Sequence, residues 1–119
     1  MLCYLAHPVG HDPEERKKNL ENTRKWFLWL IEHTDLSFSV PWYIYVDNLD
    51  ETHRKRAMRD DLINLGRCDM IILTGGRLSP GMKTELGLAQ MSGLKILDLT
   101  SVGYEPSDAA LKLLPVDWF

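Results

Sequence analysis

The run Met70-Ile71-Ile72-Leu73 is apolar at every position, closed by Thr74-Gly75-Gly76. A strand with no polar residue to turn outward has to be covered on both faces, which is the condition of a parallel sheet flanked by helices. The rest of the chain agrees with that requirement. Met1 to Ala6 is a second short apolar run, stopped by His7-Pro8-Val9-Gly10. Asp12-Pro13-Glu14-Glu15 then supplies an N-cap, a first-turn proline and first-turn acids, predicting a helix from about Pro13 to His33. Its expected core stripe is Leu20, Phe27 and Ile31 with Arg24 between, leaving Trp29 to face outward as a second contact surface. Phe38 to Tyr45 reads as a strand running into a loop, with Pro41 at its end or edge. A helix from about Asp50 to Leu65 ends at Gly66. The helix that carries Glu85 follows the Met70 strand, then the strand Leu94 to Leu99, and a last short helix within Pro106 to Leu114.

Strands alternating with helices predict one doubly wound α/β domain over residues 1–119, Rossmann- or flavodoxin-like, with a mostly parallel sheet of four or five strands. Ligands of such sheets bind at the carboxyl ends of the strands, so the loops of interest are Ala6 to Asp12, Trp42 to Asn48 and Thr74 to Gly81.

Two acids stand where that pattern asks for apolar residues. At roughly 100° per residue, Asp61 shares a helix side with Met58, Leu62 and Leu65, whereas Asp60 points the other way as an ordinary solvated acid. Glu85 shares a stripe with Met82, Leu86 and Ala89. Burying a charge is costly, so two acids converging near one strand end point to a site.

Composition narrows the classes. The net charge is -3 and the 14 Lys and Arg are scattered, which argues against a nucleic acid polymer as partner but allows a nucleotide-sized ligand. Cys3 and Cys68 have no cysteine at metal-ligand spacing and read as reduced thiols. No apolar run approaches the ~18 residues of a membrane span, and the N-terminus enters a strand without a charged leader. The expectation is a cytoplasmic protein without membrane contact. Trp29 and Trp118-Phe119 motivate a homodimer or higher homo-oligomer.

Tyr4-Leu5-Ala6-His7-Pro8, Arg59-Asp60-Asp61-Leu62-Ile63, Cys68-Asp69-Met70-Ile71-Ile72-Leu73 and Ser79-Pro80-Gly81-Met82-Lys83-Thr84-Glu85-Leu86-Gly87-Leu88-Ala89 together resemble the nucleoside 2-deoxyribosyltransferase superfamily. Within it they look most like the 2'-deoxynucleoside 5'-phosphate N-hydrolases and neighbouring small phage and bacterial domains of unknown function. The resemblance covers most of residues 1 to 99, and its most specific element is Ser-x-Gly-x-x-x-Glu-Leu-Gly after a Cys-Asp-led apolar strand. It implies Glu85 as the nucleophile at the anomeric carbon, Asp61 protonating or holding the leaving base, and Tyr4 positioning the catalytic carboxylate. Ser79 matches the serine that receives a 5'-phosphate, where transferases acting on free nucleosides carry an acid. Its hydroxyl, with the amides of Gly81 and Met82 at a helix N-terminus, suits a phosphate. Pro8 and Gly10 depart from the serine and arginine of the N-hydrolases, so Arg77, His7 or His11 would have to compensate.

The residue chemistry is compatible on its own terms. Breaking an N-glycosidic bond builds positive charge on the sugar, which one carboxylate stabilises or traps while a second acid assists the base. Such a reaction uses no metal or redox cofactor. Trp42, Tyr4 and Tyr45 are candidate stacking surfaces for a base, and His7 and Gly75 sit in loops at the same rim.

Plainer readings stand beside these. Glu85 could be a first-turn acid favoured by the helix dipole. Asp61 could be paired with Arg24 or Arg67, Ser79 could be only an N-cap, and Trp42 could be core. Gly75-Gly76 reads more simply as a tight turn than as a phosphate cradle. His7 and His11 stand at i, i+4, but Pro8 and Gly10 make that stretch a loop, which disfavours zinc. The functional alternatives are a nucleotide-binding module that has lost turnover and hydrolysis of an NAD-type N-glycosidic bond.

Overall fold

The computed structural model describes residues 1–46 and 51–115. Four parallel strands form one sheet: β1 (Leu2–Ala6), β2 (Ser37–Ser39), β3 (Met70–Leu73) and β4 (Lys95–Asp98), in the order β2-β1-β3-β4. Three helices connect them: α1 (Pro13–His33), α2 (Glu51–Gly66) and α3 (Pro80–Met91). This is a Rossmann- or flavodoxin-like α/β fold. Asn48, the expected Asp50 start of α2 and Trp118-Phe119 lie outside the described residues.

Alternation along the two central strands sorts the core into two halves. Cys3, Leu5, Met70 and Ile72 face α1, where they pack with Trp26, Leu30 and, from the tail, Ala110. Tyr4, Ala6, Ile71 and Leu73 face α2 and α3, where they meet Leu65, Met82 and Ala89. The whole of β3 is buried. A strand with both faces covered is why its sequence shows no alternation. Each cluster also holds one free cysteine, Cys3 in the first and Cys68 in the second.

Helix starts follow the local chemistry. Asp12 caps α1 by accepting from the Glu15 amide at 2.8 Å, with Pro13 next. Ser79 caps α3 by accepting from the Met82 amide at 3.2 Å, with Pro80 next. Such caps are each worth about 1 kcal/mol.

Several expectations are corrected. The buried side of α1 is Asn19, Asn22, Thr23, Trp26 and Leu30, while Ile31 is exposed and Leu20 and Phe27 are half-buried. The stripe is rotated because its polar members are satisfied inside: Thr23 donates to the Asn19 carbonyl and the Asn19 amide to the Val9 carbonyl. A stripe drawn by hydrophobicity alone misses them. Trp29 is half-buried, edge-on to Trp26 and stacked on His33. It therefore gives no ground for a second contact surface. Pro41 opens a 3-10 turn, Pro41–Tyr45, instead of closing a strand that reaches Tyr45. Its fixed φ suits a first helical position. The tail forms 3-10 turns at Thr100–Val102 and Asp108–Leu113. Among the described residues no helix is long and apolar enough to cross a membrane.

Candidate functional site

β1 and β3 are neighbours whose outgoing connections run to opposite edges of the sheet, β1 to β2 and β3 to β4. A crevice opens where such connections diverge, above the carboxyl ends of the two strands. A cavity of about 140 Å³ lies there. The loop after β1 contributes His7 and Val9, and the start of α3 contributes Ser79, Gly81 and Met82. Trp42 closes one side, Met58 and Leu62 of α2 another, and Asp61 and Glu85 both reach the same space. Residues from separate helices, singled out as misplaced acids, are thus brought together.

Apolar walls explain what happens to the acids. Burial is the main cause that pushes Glu85 up to about 7, with the charge of Asp61 adding to it and the Tyr4 hydroxyl pulling the other way. Burial likewise pushes Asp61 up to about 7, reinforced by the neighbouring charge of Asp60. Asp61 Oδ1 is buried and has no hydrogen-bond partner among the described residues. No ion pair with Arg24 or Arg67 is present there to compensate it. Tyr4 is fully buried in β1, its hydroxyl beside Glu85 but without a partner of full hydrogen-bond geometry among the described residues. Burial first, then the charges of Glu85 and Asp61, hold the phenol far above its ordinary value, so it stays a donor. Asp60 differs from expectation: it is half-buried, takes the Tyr45 hydroxyl at 3.2 Å and pairs with Arg56 at 3.3 Å. Tyr45 is thereby committed elsewhere and does not line the cavity.

The other expected residues divide by what they touch. Trp42 is both core and wall, since its indole donates to the Leu5 carbonyl at 2.9 Å while its ring lines the cavity. Ser79 Oγ accepts the Met82 amide and keeps its own proton to donate. His7 is buried with both ring nitrogens engaged, Nδ1 with the Pro8 carbonyl at 2.7 Å and Nε2 with the Asn22 amide at 2.8 Å. Burial, with Arg77 nearby, pulls it down to about 4 against the pull of its bond to Pro8. His7 is a neutral wall, not a cation for a phosphate. Gly75 does not line the cavity. At φ +92°, with Pro8 Cδ 2.5 Å and His7 Nε2 2.9 Å from where a Cβ would stand, it lets the β3 loop pass over the His7-Pro8 turn. Among the described residues no cluster of His, Cys, Asp or Glu is arranged to hold a metal ion.

Sequence reasoning missed Asn19, Asn22 and Tyr104, which stand behind the cavity wall. The signal was present in Asn19, Asn22, Thr23, Trp26 and Leu30, whose i, i+3, i+4 spacing marks one helix side once asparagines are allowed inside it.

A comparison with curated proteins finds no match. The family described as Domain of unknown function (DUF7768) matches residues 1–99, a span that holds every strand and every cavity residue, and the chain belongs to that family.

Proposed function

We propose that the protein cleaves or transfers the N-glycosidic bond of a (deoxy)nucleotide or nucleoside, with Glu85 as nucleophile and Asp61 assisting the leaving base. The observation that carries this reading is the meeting of two desolvated carboxyls over one sugar-sized hollow. Their surroundings divide the work. The Tyr4 hydroxyl favours charge on Glu85, whereas the Asp60 carboxylate disfavours charge on Asp61. Near neutrality a pair sharing one proton then presents an anion to the sugar and an acid to the base. Trp42, Met58 and Leu62 offer apolar surface for the base, and Ser79 with the amides at the start of α3 offers donors for a 5'-phosphate or hydroxyl. The resemblance to deoxyribosyltransferases and N-hydrolases supports the same assignment.

The test is incubation with a panel of deoxynucleoside monophosphates and deoxynucleosides, followed by chromatography of free base. Release from at least one substrate is expected, and no release from any overturns the reading. A second reading, a binding module that has lost turnover, is favoured by one fact: His7 has no free nitrogen to replace the phosphate ligands absent from the first loop. It predicts thermal stabilisation by a nucleotide without product. A cytoplasmic setting belongs to the proposal, supported by the two free cysteines.

Gly81 gives a separable check on where ligand sits. A Cβ there meets only Ser79 Oγ, at 4.0 Å. Gly81→Ala is therefore expected to keep or raise stability, by up to about 1 kcal/mol. The added methyl enters the cavity rim, and KM should rise about tenfold, equivalent to ~1.4 kcal/mol. An unchanged KM would place the ligand away from the start of α3.

A further inference from the structure

We propose that the segment following β4 is a brace that sets the cavity loops, with Tyr104, Asn22 and Asn19 as positioning residues for the glycosidic site. The inference rests on the functional reading of the cavity, but its geometry stands apart from it. Tyr104 lies beyond residues 1–99, the part shared with the family. It nevertheless reaches both cavity walls by two relays. In the first, the Tyr104 carbonyl accepts from the Asn22 amide at 2.7 Å, and the same amide nitrogen contacts His7 Nε2 at 2.8 Å. In the second, the Tyr104 hydroxyl donates to Asn19 Oδ1 at 2.7 Å, and the Asn19 amide donates to the Val9 carbonyl at 2.8 Å. His7 and Val9 are the two residues that the first loop presents to the cavity.

Hydrogen-bond bookkeeping makes the first relay directional. A carbonyl only accepts, so Pro8 requires a proton on His7 Nδ1 and Tyr104 requires the NH2 of Asn22 to face it. The neutral ring must then accept at Nε2, and one amide nitrogen serves both acceptors. Asn22 Oδ1 is left buried without a partner among the described residues, so the asparagine is held for its donors. The Tyr104 carbonyl is fixed in turn by the Trp26 indole at 2.7 Å. On the other wall, Gly76 of the β3 loop lies against the Tyr104 backbone, where a Cβ at φ +82° would stand 3.0 Å from the Tyr104 nitrogen. One residue thus touches the loops after β1 and after β3, and the ring of Tyr104 meets His7 edge-on at 5.7 Å.

Two variants test this. Asn22→Leu removes both donors of the first relay, and Tyr104→Phe removes only the hydroxyl of the second while keeping the ring. In long-range proton–nitrogen spectra, wild-type His7 should show a single Nδ1-protonated tautomer, and Asn22→Leu should give a tautomer mixture. Tyr104→Phe, the milder change should Asn22→Leu fail to fold, is expected to shift the amides of Val9 and of residues 77–79. With a turned-over substrate, KM should rise about fivefold in Asn22→Leu with kcat within about twofold, a binding loss of ~1 kcal/mol. If no substrate is turned over, the spectra alone decide the brace. Shifts confined to α1 and residues 100–110, or an unchanged His7 tautomer in Asn22→Leu, would overturn it.

Discussion

Glu85→Gln is expected to lower kcat for base release by at least about 10³-fold, the scale on which a covalent or charge-stabilising carboxylate acts. The substitution keeps size and shape, so the nucleotide should still bind. Its stability effect has the opposite sign to its catalytic one. Glu85 is a buried carboxyl raised to about 7, so at pH 8 the folded protein bears the cost of holding it charged beside Asp61. Replacing it with a neutral amide removes that cost, and the melting temperature at pH 8 should rise. Loss of turnover with a gain in stability separates a functional acid from a structural one, since a carboxylate that caps or pairs loses stability when removed. Full turnover by Glu85→Gln would contradict its role.

The second large effect is the pH dependence of folding. Both acids have folded values of about 7 against ordinary values of 3.8 for Asp61 and 4.5 for Glu85. Between about pH 4 and pH 7 the folded chain therefore retains protons that the unfolded chain has released, and stability falls as pH rises through that window. Below about pH 4 the penalty is absent, and above about pH 7 it is complete. His7 works in the opposite direction. With a folded value near 4 against 6.5, it costs stability as pH falls through that interval, because only the unfolded chain takes the proton. The two contributions separate in a difference curve. The double variant Asp61→Asn, Glu85→Gln retains His7, so its stability minus that of the wild type reports the acids alone. That difference should approach zero near pH 4 and reach on the order of 2–4 kcal/mol by pH 8, after allowance for water in the open cavity. Chemical denaturation across this range measures it. A difference that is flat with pH would mean the acids titrate as solvated groups.

Much of this arrangement was legible before any coordinates, and particular residues show why. The unbroken apolar run at β3 has only one economical explanation, coverage on both faces, and Met70–Leu73 is fully buried. Asp12-Pro13 and Ser79-Pro80 state their helix starts through side-chain chemistry that acts within one turn. Asp61 and Glu85 stood out because a charge on an apolar stripe contradicts the local pattern. What stayed hidden depends on contacts distant along the chain. Asn19 and Asn22 look like solvent-facing residues until Tyr104, 85 and 82 positions away, supplies their partners. Asp60 looked solvated because its cover, the Tyr45 hydroxyl, comes from the 3-10 turn preceding α2. Trp29 looked outward because the stripe on α1 was drawn by hydrophobicity, and the asparagines that define its true face were left out. The first loop kept the same secret. His7 reads as an available ligand in sequence, yet its two nitrogens are consumed by Pro8 and Asn22.

The most direct test of the account is a crystal structure of Glu85→Gln soaked with a deoxynucleoside monophosphate. The account predicts the sugar in the cavity, its anomeric carbon within about 3.5 Å of the residue 85 side chain, and the base toward Asp61 and Trp42. A nucleotide bound elsewhere, or one whose sugar lies away from residue 85, would contradict it.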